Sequence, residues 1–220
     1  MSLHIEGCFY VKGLVLILNI VGIVLLASVA IANIPQIVQM FKTRDTNGIS
    51  LTMHAAFVLS WGMWLVYAFP IGDWVLIASN ALGFVAELAV TLLVVFYRLT
   101  HHENVLGTIK NEGHNLWFIA ALVPVMVAGF FSLDLMIVLL AFADMTIILP
   151  QVVEVFKVKD LSGSNLLTWW LFVGEACLGI FYAFAIGEPL SYAWAYLYLP
   201  CYFIIIWKIV SYKRVLRLAV

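Results

Sequence analysis

A five-residue phrase occurs twice in this chain, as Ile34-Pro35-Gln36-Ile37-Val38 and as Leu149-Pro150-Gln151-Val152-Val153, and 115 residues separate the two copies. The same offset carries Phe41-Lys42 onto Phe156-Lys157, Arg44-Asp45 onto Lys159-Asp160 and Gly48 onto Gly163. It also carries Tyr67-Ala68-Phe69 onto Tyr182-Ala183-Phe184, and Ile71-Gly72 onto Ile186-Gly187. No insertion breaks the register, so whatever one copy folds into, the other must fold into as well.

Each phrase lies near the end of a long apolar run, and this decides the solvent. The chain is 65% apolar and 10% charged, where a soluble domain would carry about 25% charged residues. An all-α integral membrane protein is expected. Its 220 residues leave no room for a sizeable soluble domain, and a formal charge of −1 offers nothing to a nucleic acid. Cys8, Cys177 and Cys201 are too scattered for a disulfide framework or a thiolate metal site. Ala30-Ile31-Ala32 mimics a signal cleavage site, but the repeat continues through it, so a retained first helix is expected.

A crossing helix needs about 20 mostly apolar residues. The pattern predicts seven spans, at 14–41, 51–69, 74–97, 115–131, 135–156, 165–186 and 190–210. Spans one to three form one copy and five to seven the other, giving units 1–97 and 134–220 joined by a loop and linker helix over 98–133. A three-helix unit ends on the opposite side from its start. One unmatched crossing therefore lets the two copies run parallel, in a 3+1+3 arrangement. Lys42, Arg44, Arg98, Lys110, Lys157, Lys159, Lys213, Arg214 and Arg217 all fall on one side. By the positive-inside rule that side is cytoplasmic, the N-terminus is outside and the C-terminus inside. A plasma membrane location is expected. A single chain already holds both copies, so a homo-oligomer is allowed but not required.

Within a helix, Pro35 and Pro150 cannot donate to the carbonyls of Ile31 and Thr146. A break of this kind at membrane depth must face protein or a wet cavity. Pro35, Gln36, Pro150 and Gln151 are therefore candidate hinges, with the glutamine amides available to groups the breaks expose.

Ionisable side chains inside spans usually face the bundle interior. Glu87, Asp144 and Glu175 qualify, and Asp144 and Glu175 fall near mid-membrane at about 1.5 Å of rise per residue. Helical spacing puts Met53, Ser60, Trp64 and Tyr67 on one face and Thr168, Glu175, Gly179 and Tyr182 on the matching face of the other copy. Asn80, Gly83 and Glu87 share a third face, matched by Ala195, Tyr198 and Tyr202. These faces are the expected cavity walls, with Asn80, Trp64, Ser60, Glu175 and Tyr198 as candidate substrate-binding residues. Asp144, Glu175 and Glu87 are candidate proton acceptors. Gly22, Gly62 and Gly83 suit close helix packing. His101, His102 and His114 lack metal-ligand spacing. Neither a metal site nor a cofactor is expected, and no nucleophile-base pairing suggests an enzyme.

The paired Pro-Gln phrases, the 3+1+3 layout and the orientation resemble the PQ-loop superfamily of the MtN3/saliva type. The first copy is most similar to the SWEET and SemiSWEET sugar transporters, on Asp45-Thr46-Asn47-Gly48-Ile49-Ser50-Leu51, on Trp64-Leu65-Val66-Tyr67 and on Asn80-x-x-Gly83-x-x-x-Glu87. The general architecture of two parallel repeats is established for SWEETs. The resemblance implies bidirectional, facilitative movement of a small sugar by alternating access, with Asn80 in the pocket. Where the family has a second asparagine this chain has Ala195, and where it often has prolines this chain has Met53 and Thr168.

Two other readings use the same fold. A proton-coupled PQ-loop transporter of an amino acid or other polar metabolite, as in cystinosin, would employ Asp144 and Glu175. A retrieval receptor would need a cation at mid-depth, and neither Lys nor Arg is expected there.

Overall fold

The computed structural model describes residues 3–100, 132–187 and 193–218, with positions 124, 125 and 127. The described helices are α1 (Leu3–Ala32), α2 (Ile34–Thr43), α3 (Leu51–Ile71), α4 (Trp74–Thr100), α5 (Leu133–Ile147), α6 (Leu149–Lys157), α7 (Leu166–Ile186) and α8 (Ala193–Leu218). They supply six stretches long and apolar enough to cross a membrane, α1 joining α2 and α5 joining α6 in one crossing each. The expected span at 115–131 lies outside the described residues.

Both predicted breaks are present. The helix lapses at Asn33 and again at Ile148, its equivalent 115 residues on, and each proline opens the new segment. There its missing N–H costs nothing, because first-turn N–H groups have no intrahelical partner anyway. Three ends differ from expectation. The first helix starts at Leu3 rather than at residue 14, since nothing stronger than Gly7 and Gly13 interrupts it. The last runs on through Lys213 and Arg214 to Leu218. The third continues to Thr100 because Arg98 turns inward, donating to the Ile49 carbonyl at 2.8 Å.

In the first copy α4 packs against α1, α2 and α3; in the second, α8 packs against α5, α6 and α7. The third helix of each unit thus lies between the other two. The copies then meet reciprocally, α1 and α2 against α7, and α3 against α5 and α6. Leu25, Met53, Ile147, Tyr198 and Ile205 join in a core that runs across this interface.

The polarity is inverted relative to a water-soluble bundle. Phe41, Val66, Val85, Phe142 and Phe184 are exposed. Asn33, Gln36, His54, Asn80, Glu87, Asp144, Gln151 and Glu175 are buried. Large apolar side chains face outward because a lipid surface rewards them, and the polar groups turn inward to satisfy one another.

Candidate functional site

At one end of the bundle the segments following α2 and α6 interlock. The Gln36 carboxamide donates to the Gly163 carbonyl at 2.7 Å and accepts the Asn165 backbone N–H at 2.9 Å. Gln151 does the same in return, donating to the Gly48 carbonyl at 2.6 Å and accepting from Ser50 N–H at 2.8 Å. The partners are themselves equivalents, Gly48 with Gly163 and Ser50 with Asn165. Ser50 and Asn165 also cap α3 and α7, their side chains accepting from Met53 N–H and Leu167 N–H. Each glutamine therefore grips the helix start of the opposite copy.

This differs from the expectation that the amides would serve groups exposed by their own breaks. In the second copy the freed Thr146 carbonyl takes the Ile148 N–H instead.

Around this lock Ser162 donates to Asp45, and Asn47 donates to Asp160 at 3.4 Å, again a pair of equivalent contacts. Asp160 lies outside the spans, and its carboxyl is held below the ordinary range, first by the Tyr212 hydroxyl at 2.6 Å and then by Ser162. The loops cross so closely that a Cβ on Gly163 would stand 2.6 Å from the Asn47 backbone.

At mid-depth the interface opens into a cavity with about 50 Å³ open to the centre of a water molecule. Its walls include Ser60, Trp64, Asn80, Glu87, Asp144, Glu175 and Tyr198. All the residues singled out as binding or proton-accepting candidates are thus brought to one place. Asp144 of α5 accepts from Ser60 Oγ and Trp64 Nε1, both on α3 of the other copy. Its backbone carbonyl accepts from the Tyr198 hydroxyl at 2.5 Å. Asn80 donates to the Leu76 carbonyl one turn back at 2.8 Å, which fixes its carboxamide on the cavity wall. Aromatic rings make up much of the rest: Trp64 and Tyr67 meet edge to face, as do Phe57 and Tyr198, while Phe172 stacks on Tyr202. Gly83 leaves room for the Trp61 ring, which a Cβ there would approach to 2.5 Å.

Glu87 has partners that were not anticipated. One oxygen faces His54 Nδ1 at 2.6 Å, and the other accepts from Asn33 Nδ2 at 3.0 Å. Asn33 is the residue at which the first helix breaks, so this buried trio ties the break to α3 and α4. The equivalents in the second copy are Ile148, Trp169 and Tyr202, where the Trp169 and Tyr202 rings approach to 5.8 Å. A hydrogen-bonded polar trio in one half is matched by an aliphatic and two aromatic side chains in the other. His54 stands four residues into its span, and a search for ionisable groups within spans, extended to histidine, would have found it.

Asp144 and Glu175 both line the cavity, with no hydrogen bond between them among the described residues. At the end away from the lock, the two copies meet through the Tyr182 hydroxyl and Asp73 at 3.5 Å. Pro35, Pro150, Gln36 and Gln151 lie at the lock and not on the cavity wall. Among the described residues no three His, Cys, Asp or Glu side chains gather as a metal ion would require. His101, His102 and His114 lie outside them.

Residues 16–102 match a family described as "Sugar efflux transporter for intercellular exchange". The chain is also 37% identical over 65 residues to "Sugar transporter SemiSWEET" of Bradyrhizobium diazoefficiens, which covers 30% of this chain and 76% of that protein. The chain belongs to the MtN3/SWEET family. This is a family of transporters, not of enzymes, and its member here is a multi-pass integral membrane protein. The stretch that matches the MtN3/SWEET pattern holds Pro35, Gln36, Ser60, Trp64, Asn80 and Glu87. Asp144, Glu175 and Tyr198 lie beyond it, in the copy that the 115-residue offset assigns.

Proposed function

We propose that this protein moves a small sugar across the membrane passively and in both directions, by alternating access. Its two triple-helix units, 1–97 and 134–220, would rock about the breaks at Pro35 and Pro150, with a linker helix within 98–133 completing a seven-helix 3+1+3 body. The observation that carries this reading is the cavity between the two copies, which the glutamine lock joins at one end of the bundle. Asn80, Ser60 and Glu175 offer hydrogen bonds to hydroxyls, and Trp64 and Tyr198 offer faces to a sugar ring. The family membership and the SemiSWEET relative support a sugar as cargo. The cavity is narrow, so loading requires the copies to separate. The locked end is the basic one, and by the positive-inside rule this supports a cytoplasmic lock and C-terminus with the N-terminus outside; a plasma membrane location belongs to the same proposal.

Purified protein in proteoliposomes, tested for counterflow of radiolabelled mono- and disaccharides, decides the matter. Exchange of at least one sugar is expected; a well-folded preparation that exchanges none overturns the assignment. The buried carboxyls of Asp144 and Glu175 favour proton coupling as the second reading, with an amino acid or other polar metabolite as cargo. Transport driven by an imposed pH gradient, and uncoupled from it by Asp144→Asn, would select that reading.

A further inference from the structure

The cavity wall carries carboxyls and aromatic rings, and among its residues there is neither Lys nor Arg. Its three carboxyls are partnered unequally. Glu87 is answered by His54 and Asn33, and Asp144 by Ser60 and Trp64. Glu175 is 4% exposed and lines the cavity, yet no hydrogen bond among the described residues reaches it. On the same helix the Trp169 indole N–H, also on the cavity wall, is buried without a partner.

A neutral hexose asks only for donors and acceptors. Its hydroxyls would give Glu175 donors but would leave the charge of a carboxylate unanswered, and an unpaired carboxylate is costly to desolvate. An ammonium group on the cargo would supply the missing partner. Trp64, Tyr198 and Tyr202 surround the same space, and electron-rich ring faces attract cations at close range. We propose that the preferred cargo is a cationic amino sugar, its ammonium held by Glu175 and its ring held among the aromatic side chains. This rests on the sugar-transport reading and narrows the substrate class within it. The competing account is a proton resident on Glu175, in which case an amine gains nothing over a hydroxyl. Glu87, backed by His54, and Asp144, Tyr67, Tyr198 and Tyr202 are the other titratable groups at this space.

Counterflow competition with glucose, glucosamine and N-acetylglucosamine separates the accounts, run at about pH 6.5, below the pKa of about 7.7 for an α-amino group. N-acetylation keeps the nitrogen and removes its charge. Glucosamine is expected to compete about tenfold better than either neutral sugar, a difference of about 1.4 kcal/mol. The preference should shrink toward unity in Glu175→Gln and in Glu175→Ser, the latter restoring the residue type of Ser60 at the equivalent position. Should either variant lack transport, the ratio among the three ligands in the unaltered protein decides alone. Equal competition by all three overturns the amino-sugar proposal while leaving sugar transport in place. No counterflow of any of the three, from protein that still melts cooperatively, removes the sugar reading itself.

Discussion

Gln36 delivers its side-chain N–H to the carbonyl of Gly163, 127 residues along the chain, at 2.7 Å. The return contact from Gln151 to Gly48 makes the lock reciprocal. The glutamine of the Pro-Gln phrase is therefore a hand reaching across the interface, while the proline beside it marks where the helix is interrupted.

Gln36→Ala should leave the Gly163 carbonyl and the Asn165 N–H without their partners, at about 1–3 kcal/mol per group. Gln151→Ala strips the Ser50 N–H but leaves the Gly48 carbonyl the Ser164 hydroxyl. The Gln36 effect should be the larger, and the two should be non-additive in the double variant, because both act on one interlocked structure. Thermal melting gives the magnitudes. A cysteine placed at Ser164, buried within the lock, should react faster with a thiol reagent in either variant; unchanged reactivity would show that the lock does not depend on these amides.

Gly163→Ala should cost about 1–3 kcal/mol, since its Cβ meets main chain that cannot step aside. Gly174 in α7 has nothing within 4 Å of an added Cβ. Gly174→Ala should instead be neutral or stabilise by about 0.4–1 kcal/mol. Comparing the two melting temperatures tests whether close approach, and not glycine as such, holds the loops.

Much of this fold could be read from the repeat, and the limits of that reading are physical. Equal spacing identified Gly48 with Gly163 and Asp45 with Asp160, but equivalence says which residues play the same part, not whom they touch. The exchange across the interface is a property of two copies facing each other. The cost of burying charge in a span drew attention to Asp144, Glu87 and Glu175, and the helical faces gathered Ser60, Trp64, Asn80 and Tyr198 around them. Arg98 was legible as a positive end residue, whereas its inward turn depends on a carbonyl, Ile49, that only the folded loop presents.

His54→Phe should destabilise by about 1–3 kcal/mol, because it strips the buried Glu87 side chain of its nearest hydrogen-bond partner. The second copy suggests a repair. Combining His54→Trp with Glu87→Tyr, the residues found at Trp169 and Tyr202, should be less damaging than His54→Trp alone. A double-mutant cycle in melting free energy measures the coupling, and additive losses would argue against a shared role.

Trp64→Phe keeps a ring on the cavity wall and removes the N–H that Asp144 accepts. Transport should fall by about tenfold, the effect of roughly 1.4 kcal/mol at a buried hydrogen bond, while the melting temperature changes little. Equal losses in both measurements would assign the contact to folding alone.

The depressed titration of Asp160 gives a pH signature at the lock. A carboxyl held low in the fold adds stability above its unfolded pKa of about 3.9, and the gain is lost as pH falls through the lower folded value. Tyr212→Phe removes the largest cause, so the carboxyl should titrate closer to its ordinary value. Carboxyl-carbon NMR of labelled aspartate would follow it, and an unmoved titration would exclude the tyrosine as the cause.

What the two glutamines grip is main chain: two carbonyls and two N–H groups of the opposite copy, with no side chain among those four partners. The two loops accordingly read Asp-Thr-Asn-Gly-Ile-Ser in one copy and Asp-Leu-Ser-Gly-Ser-Asn in the other, and both still fit. The glutamine contacts make few demands on the side chains opposite them, and the loops' own side-chain ties rest on a few positions, Asp45 with Ser162 and Asn47 with Asp160. Each half is left at liberty to rewrite its interior without renegotiating the join, and a molecule assembled from twins can hold its cargo in a room whose two walls no longer match.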